Sequence, residues 1–101
     1  MDNRILKLVT VVVFSFSVLS GCCCGYFGAR SEIKSAETLF TQLQAQGGQK
    51  YTPYEYCSAE KFLEISRLEF DQNDFNDARR FAGRSKSASQ AGLAEIKKVT
   101  K

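Results

Sequence analysis

Thiols carry the most distinctive chemistry in this sequence. Cys22, Cys23 and Cys24 are consecutive, and Cys57 stands alone. A thiolate can ligate a metal, form a disulfide or attack an electrophile. The metal role lacks company: the chain has no His and no CxxC pair, whereas a zinc site needs a full tetrahedral ligand set. No metal and no cofactor is expected. Adjacent cysteines cannot bridge each other without strain. A bridge from Cys23 or Cys24 to Cys57, an intermolecular bond and free thiols all stay open, with free thiols the simplest. Among the carboxylates, Glu60 and Glu64 stand one helical turn apart, a spacing more typical of a solvated face than of an acid–base pair. No Gly-rich phosphate loop and no nucleophile–base pair accompanies them, so no catalytic residue and no enzyme is predicted.

Cys22 is set apart by what precedes it. Arg4 and Lys7 form a positive start, and Leu8 to Leu19 is an apolar run ending in small residues. That is the layout of a secretory signal. The run is well short of the ~20 residues that span a bilayer. Leu19-Ser20-Gly21-Cys22 resembles the lipobox of bacterial lipoproteins. The resemblance implies cleavage after Gly21 and a diacylglyceryl thioether on Cys22, followed by acylation of its freed amine with a palmitate-type chain. Each buried CH₂ contributes ~0.8 kcal/mol, so two or three chains anchor stably where one is marginal. An ordinary cleaved signal and an uncleaved anchor are the alternatives. Cys23, rather than Asp, follows Cys22. In the lipoprotein reading this favours the outer membrane, facing the periplasm, over the inner membrane.

The elements that follow are helical. Residues 1–21 read as the signal peptide, 22–30 as a lipidated flexible tether with two glycines, and 31–101 as a helical domain. Removing the leader leaves about 80 residues, near the size where a core alone rarely gives more than ~3–5 kcal/mol. Ile33, Ala36, Phe40 and Leu43 predict a helix over about 31–46, with Ser31 as N-cap and Gly47-Gly48 as its stop. Thr52-Pro53-Tyr54-Glu55 predicts a capping box opening a helix over 53–70, with Tyr56, Ala59, Leu63, Ser66 and Phe70 on one stripe. Asp74 predicts the cap of a third helix over 75–99. Its stripe of Phe75, Ala78, Ala82, Ser85, Ser89, Gly92, Ile96 and Val99 is mostly small, as a close helix seam requires. The second of these helices is acidic and the third basic, which predicts a modest electrostatic preference for their pairing. The expected fold is all-α, a three-helix bundle.

Tyr51-Thr52-Pro53-Tyr54-Glu55-Tyr56 with Ser58-Ala59-Glu60, then Asp74-Phe75-Asn76-Asp77-Ala78 and Ala82, resembles a small helical domain of unknown function found in bacterial envelope lipoproteins. The second half is also similar to one tetratricopeptide-type helical hairpin, although Ser66 and Ser85 stand where Ala is more usual and no second repeat follows. The resemblance implies a fold and a location, and no activity.

The whole chain has 14 Lys+Arg against 11 Asp+Glu, a net charge of +3, which makes no case for nucleic acid. The expected role is a periplasm-facing structural or protein-interaction module. It is held at the membrane by its lipid and docks an envelope protein through Arg79, Arg80, Phe81 and Arg84. The alternative is electrostatic binding of anionic lipid or envelope polysaccharide by the basic third helix.

Overall fold

The computed structural model describes the backbone of residues 3–99 and the side chains of residues 3–12 and 25–99. The chain is all-α. Its elements are α1 (Asn3–Ala45), the single turn α2 (Gly48–Tyr51), α3 (Pro53–Asp71) and α4 (Phe75–Val99). The C-terminal half of α1 runs up, α3 down and α4 up again. Phe40 of α1 meets Tyr56 at the start of α3, and Tyr26 meets Phe70 near its end. α4 touches both neighbours extensively, and α1 and α3 touch each other less.

The small face of α4 explains that central place. Ala78, Ala82, Ser85, Ser89, Gly92 and Ile96 are all buried. Opposite them stand Tyr56, Ala59, Leu63 and Ser66 on α3 and Ala29, Ile33, Ala36 and Leu43 on α1. Two core clusters result, one around Leu63 and Ile33 and one around Leu43, Tyr56 and Ile96, with Phe40 packed against both. The backbones lie close enough for side chain to reach backbone across the seam. Ser66 Oγ donates to the Ala78 carbonyl at 2.7 Å, and Ser85 Oγ donates to the Ala59 carbonyl at 2.7 Å. At Gly92 even a methyl group would lie 2.7 Å from Leu43 Cδ1 and 3.2 Å from Thr52 Oγ1.

The turns follow local rules. Gly47 takes φ 83°, the left-handed stop that glycine allows without strain. Gly48 is needed for a different reason: a Cβ there would lie 2.5 Å from Leu43 Cγ and 2.8 Å from the Leu43 carbonyl oxygen. Asn73, at φ 62°, turns the chain from α3 into α4. The Asp74 carboxylate accepts from the Asp77 N–H at 3.2 Å and caps α4.

Several local expectations are corrected. Residues 25–30 are not a flexible spacer but part of α1. Ser31 is interior to α1 and caps nothing. Tyr26 packs on Phe70 and Phe75, and Ala29 is fully buried. This tertiary packing outweighs the weak helix propensity of Gly25 and Gly28. The Thr52 hydroxyl does not cap α3; it donates back to the Gly48 carbonyl at 3.1 Å, so no capping box forms. Among the described residues, no ion pair joins acidic α3 to basic α4. The interhelical pairs run instead to α1, as Arg67–Glu37 at 3.0 Å and Lys86–Glu32 at 3.3 Å. Val99, the last position of the predicted stripe, is exposed.

The three buried serines of the bundle should behave differently. Ser89 Oγ is buried without a hydrogen-bond partner. Ser89→Ala should therefore raise stability by about 1 kcal/mol, because it removes a desolvated, unsatisfied hydroxyl. Ser66→Ala and Ser85→Ala should each lower it by about 1 kcal/mol through loss of a cross-seam hydrogen bond. Urea unfolding followed by circular dichroism reads all three, and a uniform response would contradict the assignment.

Candidate functional site

The predicted contact residues do not form one surface. Arg80, Phe81 and Arg84 come together on the α3–α4 side. The Phe81 ring stacks on Phe62 with centroids 6.2 Å apart and planes 20° apart. The Arg84 guanidinium lies over both rings, 5.4 Å from Phe81 and 5.8 Å from Phe62, and Arg80 lies 5.0 Å from Phe81. Arg80 also pairs with Asp77 at 3.1 Å. Phe81 is half-buried, neither a free anchor nor a core residue. Arg79 faces the opposite flank, its side chain alongside Gly28 of α1. Helical geometry explains the split. Residues 80 and 84 share a face, and residue 79 is rotated about 100° from residue 80 toward α1. Phe62 completes the patch. Its ring faces Phe81 across two antiparallel helices, a register that reading α3 and α4 separately does not reveal.

The Glu60–Glu64 spacing builds no acid pair in the described residues; Glu64 pairs with Lys61 at 3.6 Å on an exposed face. Carboxylates converge elsewhere. Oxygens of Glu69, Asp74 and Asp77 lie within 4.8 Å of one another at the α3–α4 turn. Two of these groups already serve structure, Asp74 as the cap and Asp77 as the partner of Arg80. Desolvation raises the Glu69 pKa above its ordinary value. Asp74 and Asp77 push it the same way, and Arg80 opposes them.

Cys57 is placed by the helix register of α3. Cys57 is exposed and unbridged. It adjoins Tyr56 at the Phe40 end of the bundle, whereas Gly25 lies against Phe75 at the other end. The two ends are about 20 Å apart along α3. The predicted alternative of a bridge from Cys23 or Cys24 to Cys57 falls on side chains outside the described residues. The side chains of Gly21's neighbours Ser20 and Cys22, and of Cys23 and Cys24, lie outside the described residues, as does the predicted lipidation chemistry. The preceding arm is described from Asn3 to Val12. Its Ile5, Leu6, Leu8, Val9, Val11 and Val12 are 54–65% exposed. Among the described residues, no helix is long and apolar enough to cross a membrane.

Glu69 yields a pH prediction with a definite sign. A carboxyl with a raised native pKa keeps its proton in the folded state where the unfolded chain has lost it. Stability therefore falls as pH rises from the ordinary glutamate value through the raised one. Glu69→Gln should flatten that fall and leave the protein more stable at neutral pH. Urea midpoints for both proteins across the acidic range to neutrality test this, and parallel curves would count against it. No protein-family model matches this sequence, and comparison with curated proteins and with solved structures returns no match.

Proposed function

We propose that this chain is a lipid-anchored bacterial envelope protein, periplasm-facing and held at the outer membrane. In this reading its helical bundle works as a structural or protein-docking module. One observation carries it: an apolar arm with Ile5, Leu6, Leu8, Val9, Val11 and Val12 uncovered leads directly into Leu19-Ser20-Gly21-Cys22. A fold that buries Leu43 and Leu63 nearly completely leaves these side chains in solvent. That contrast suits a segment made for a translocation machinery and a bilayer rather than for the core. Cys22 is the lipidated residue and Gly21 the last residue removed. Docking is assigned to the Phe62, Phe81, Arg80 and Arg84 patch, since aromatic rings under guanidinium groups are typical of interface anchors. Tetratricopeptide-like pairing of α3 and α4 is part of the same proposal.

Material isolated from the native host should lack residues 1–21 and carry the mass of a diacylglyceryl group plus an acyl chain on Cys22. Cys22→Ser should remain unprocessed and lose the modification. Intact-mass analysis decides; an unmodified sulfur or a retained Met1 would overturn the anchor. The docking half is read separately, with a photo-crosslinking residue at position 81 in living cells. One dominant crosslinked protein is expected, and a diffuse smear would reject this surface.

A further inference from the structure

We infer that the groove between α1 and α4 is a binding site for anionic lipid headgroups. The groove is an open trough of about 700 Å³. Arg30 and Lys34 line it from α1, Lys86 from α4, and Ser31 and Ser35 add hydroxyl donors. Phe27, 64% exposed, closes the end that lies toward Cys22. Glu32 of α1 pairs with Lys86 at 3.3 Å and offsets that cation, and Glu37 pairs with Arg67 at 3.0 Å, so the net charge of the groove rests on Arg30 and Lys34. Among the described residues, Arg30 and Lys34 have no carboxylate within ion-pair distance. Of the outward cations of α4, Arg80 and Lys98 pair with acids of their own helix and Arg84 covers rings, while exposed Lys97 joins no ion pair among the described residues. The groove draws two of its three cations from the helix expected to be tether and core.

Position selects lipid as the occupant, and here the inference rests on the reading of Cys22 as the lipidated residue. Phe27 follows Cys22 by five residues, which is about 7–8 Å along a helix. An exposed aromatic at that height suits the interface between acyl chains and headgroups. Arg30 and Lys34, one and two turns further on, then reach headgroup phosphates. An anchored protein meets those phosphates at high effective concentration, so weak individual contacts suffice.

The test uses the full chain carrying Cys22→Ser, so that no lipid modification is required. It is mixed with vesicles of phosphatidylcholine alone or with about 30% phosphatidylglycerol, and partitioning is measured at low and high salt. Binding should rise with phosphatidylglycerol and fall with salt. Arg30→Gln with Lys34→Gln should reduce the phosphatidylglycerol-dependent part roughly thirtyfold, from about fivefold per lost charge. Both residues are exposed, and circular dichroism confirms that the variants keep their helices. Lys97→Gln with Lys98→Gln removes the same charge outside the groove and should cost much less. Equal losses in the two pairs would mean diffuse attraction and overturn the site. So would an Arg30→Gln, Lys34→Gln variant that keeps its phosphatidylglycerol selectivity but loses binding of an acidic synthetic peptide that the parent chain binds, which would make the occupant a protein segment. An unmodified Cys22 in native material would remove the anchor while leaving this selectivity standing, so the two failures are separable.

Discussion

Ser66 and Ser85 can reach the carbonyls of Ala78 and Ala59 only because the α3 and α4 backbones lie close together. That close approach is the constraint on which the rest of the bundle depends. It is set by residues that occupy almost no space: Ala59 on α3 and Ala78, Ala82, Ser85 and Gly92 on α4. Dispersion falls off over fractions of an ångström, so a seam of small side chains stabilises only when the backbones themselves come together. The serines suit such a seam better than it first appears. A hydroxyl at an Ala position in a close-packed pair finds an acceptor on the neighbouring backbone. It thereby fixes the register as well as filling space. Ser89 shows the other side of the same geometry, a hydroxyl inside the seam with no acceptor in reach.

The third helix of the bundle inherits its position from that hairpin. α1 packs mainly on α4 and only lightly on α3. Its buried residues are again small or compact: Ala29, Ile33, Ala36 and Leu43. Leu43 is the tightest point. It is fully buried, and both Gly48 and Gly92 lie so close to it that neither has room for a Cβ. One leucine thus ties the end of α1, the turn and the upper part of α4 into a single contact. At the other end the rings of Tyr26, Phe70 and Phe75 meet with centroids 5.2–5.6 Å apart. These two contacts hold α1 along its length. Gly25 is therefore already part of the packed helix, against Phe75.

Much of this architecture was legible in the residues. The 3–4 spacing on α4 identifies Ala78, Ala82, Ser85, Ser89, Gly92 and Ile96 as its inner face, because periodicity reports which side is buried. Asp74 and Gly47 were legible too, since an Asx cap and a left-handed stop are local events with local signatures. What stayed hidden was decided by neighbours far off in sequence. Gly25 and Gly28 look like a flexible linker until Phe75 and Arg79 are placed beside them. Thr52, Pro53 and Glu55 spell a capping box, yet the Thr52 hydroxyl turns to the Gly48 carbonyl. The Phe62–Phe81 stack and the groove between α1 and α4 depend on helix register, which no single stripe contains.

The charges follow from the seam rather than produce it. Complementary acidic and basic helices suggest ion pairs between α3 and α4, but the described residues hold none there. With the backbones so close, long side chains cannot lie within the interface and project from its edges. Edge positions on α4 then point either outward or toward α1. Lys86, on the α1 side, meets Glu32, and Arg79 lies alongside Gly28. Arg67 of α3 likewise finds Glu37 of α1. Exposed pairs of this kind contribute only ~0–1 kcal/mol each, so they do not select the fold. Their effect is on the surface potential. By engaging both acids of the packed part of α1, they leave Arg30 and Lys34 as an unbalanced positive strip. The same small-residue packing that makes the bundle stable thus leaves Arg30 and Lys34 along one groove without acid partners among the described residues.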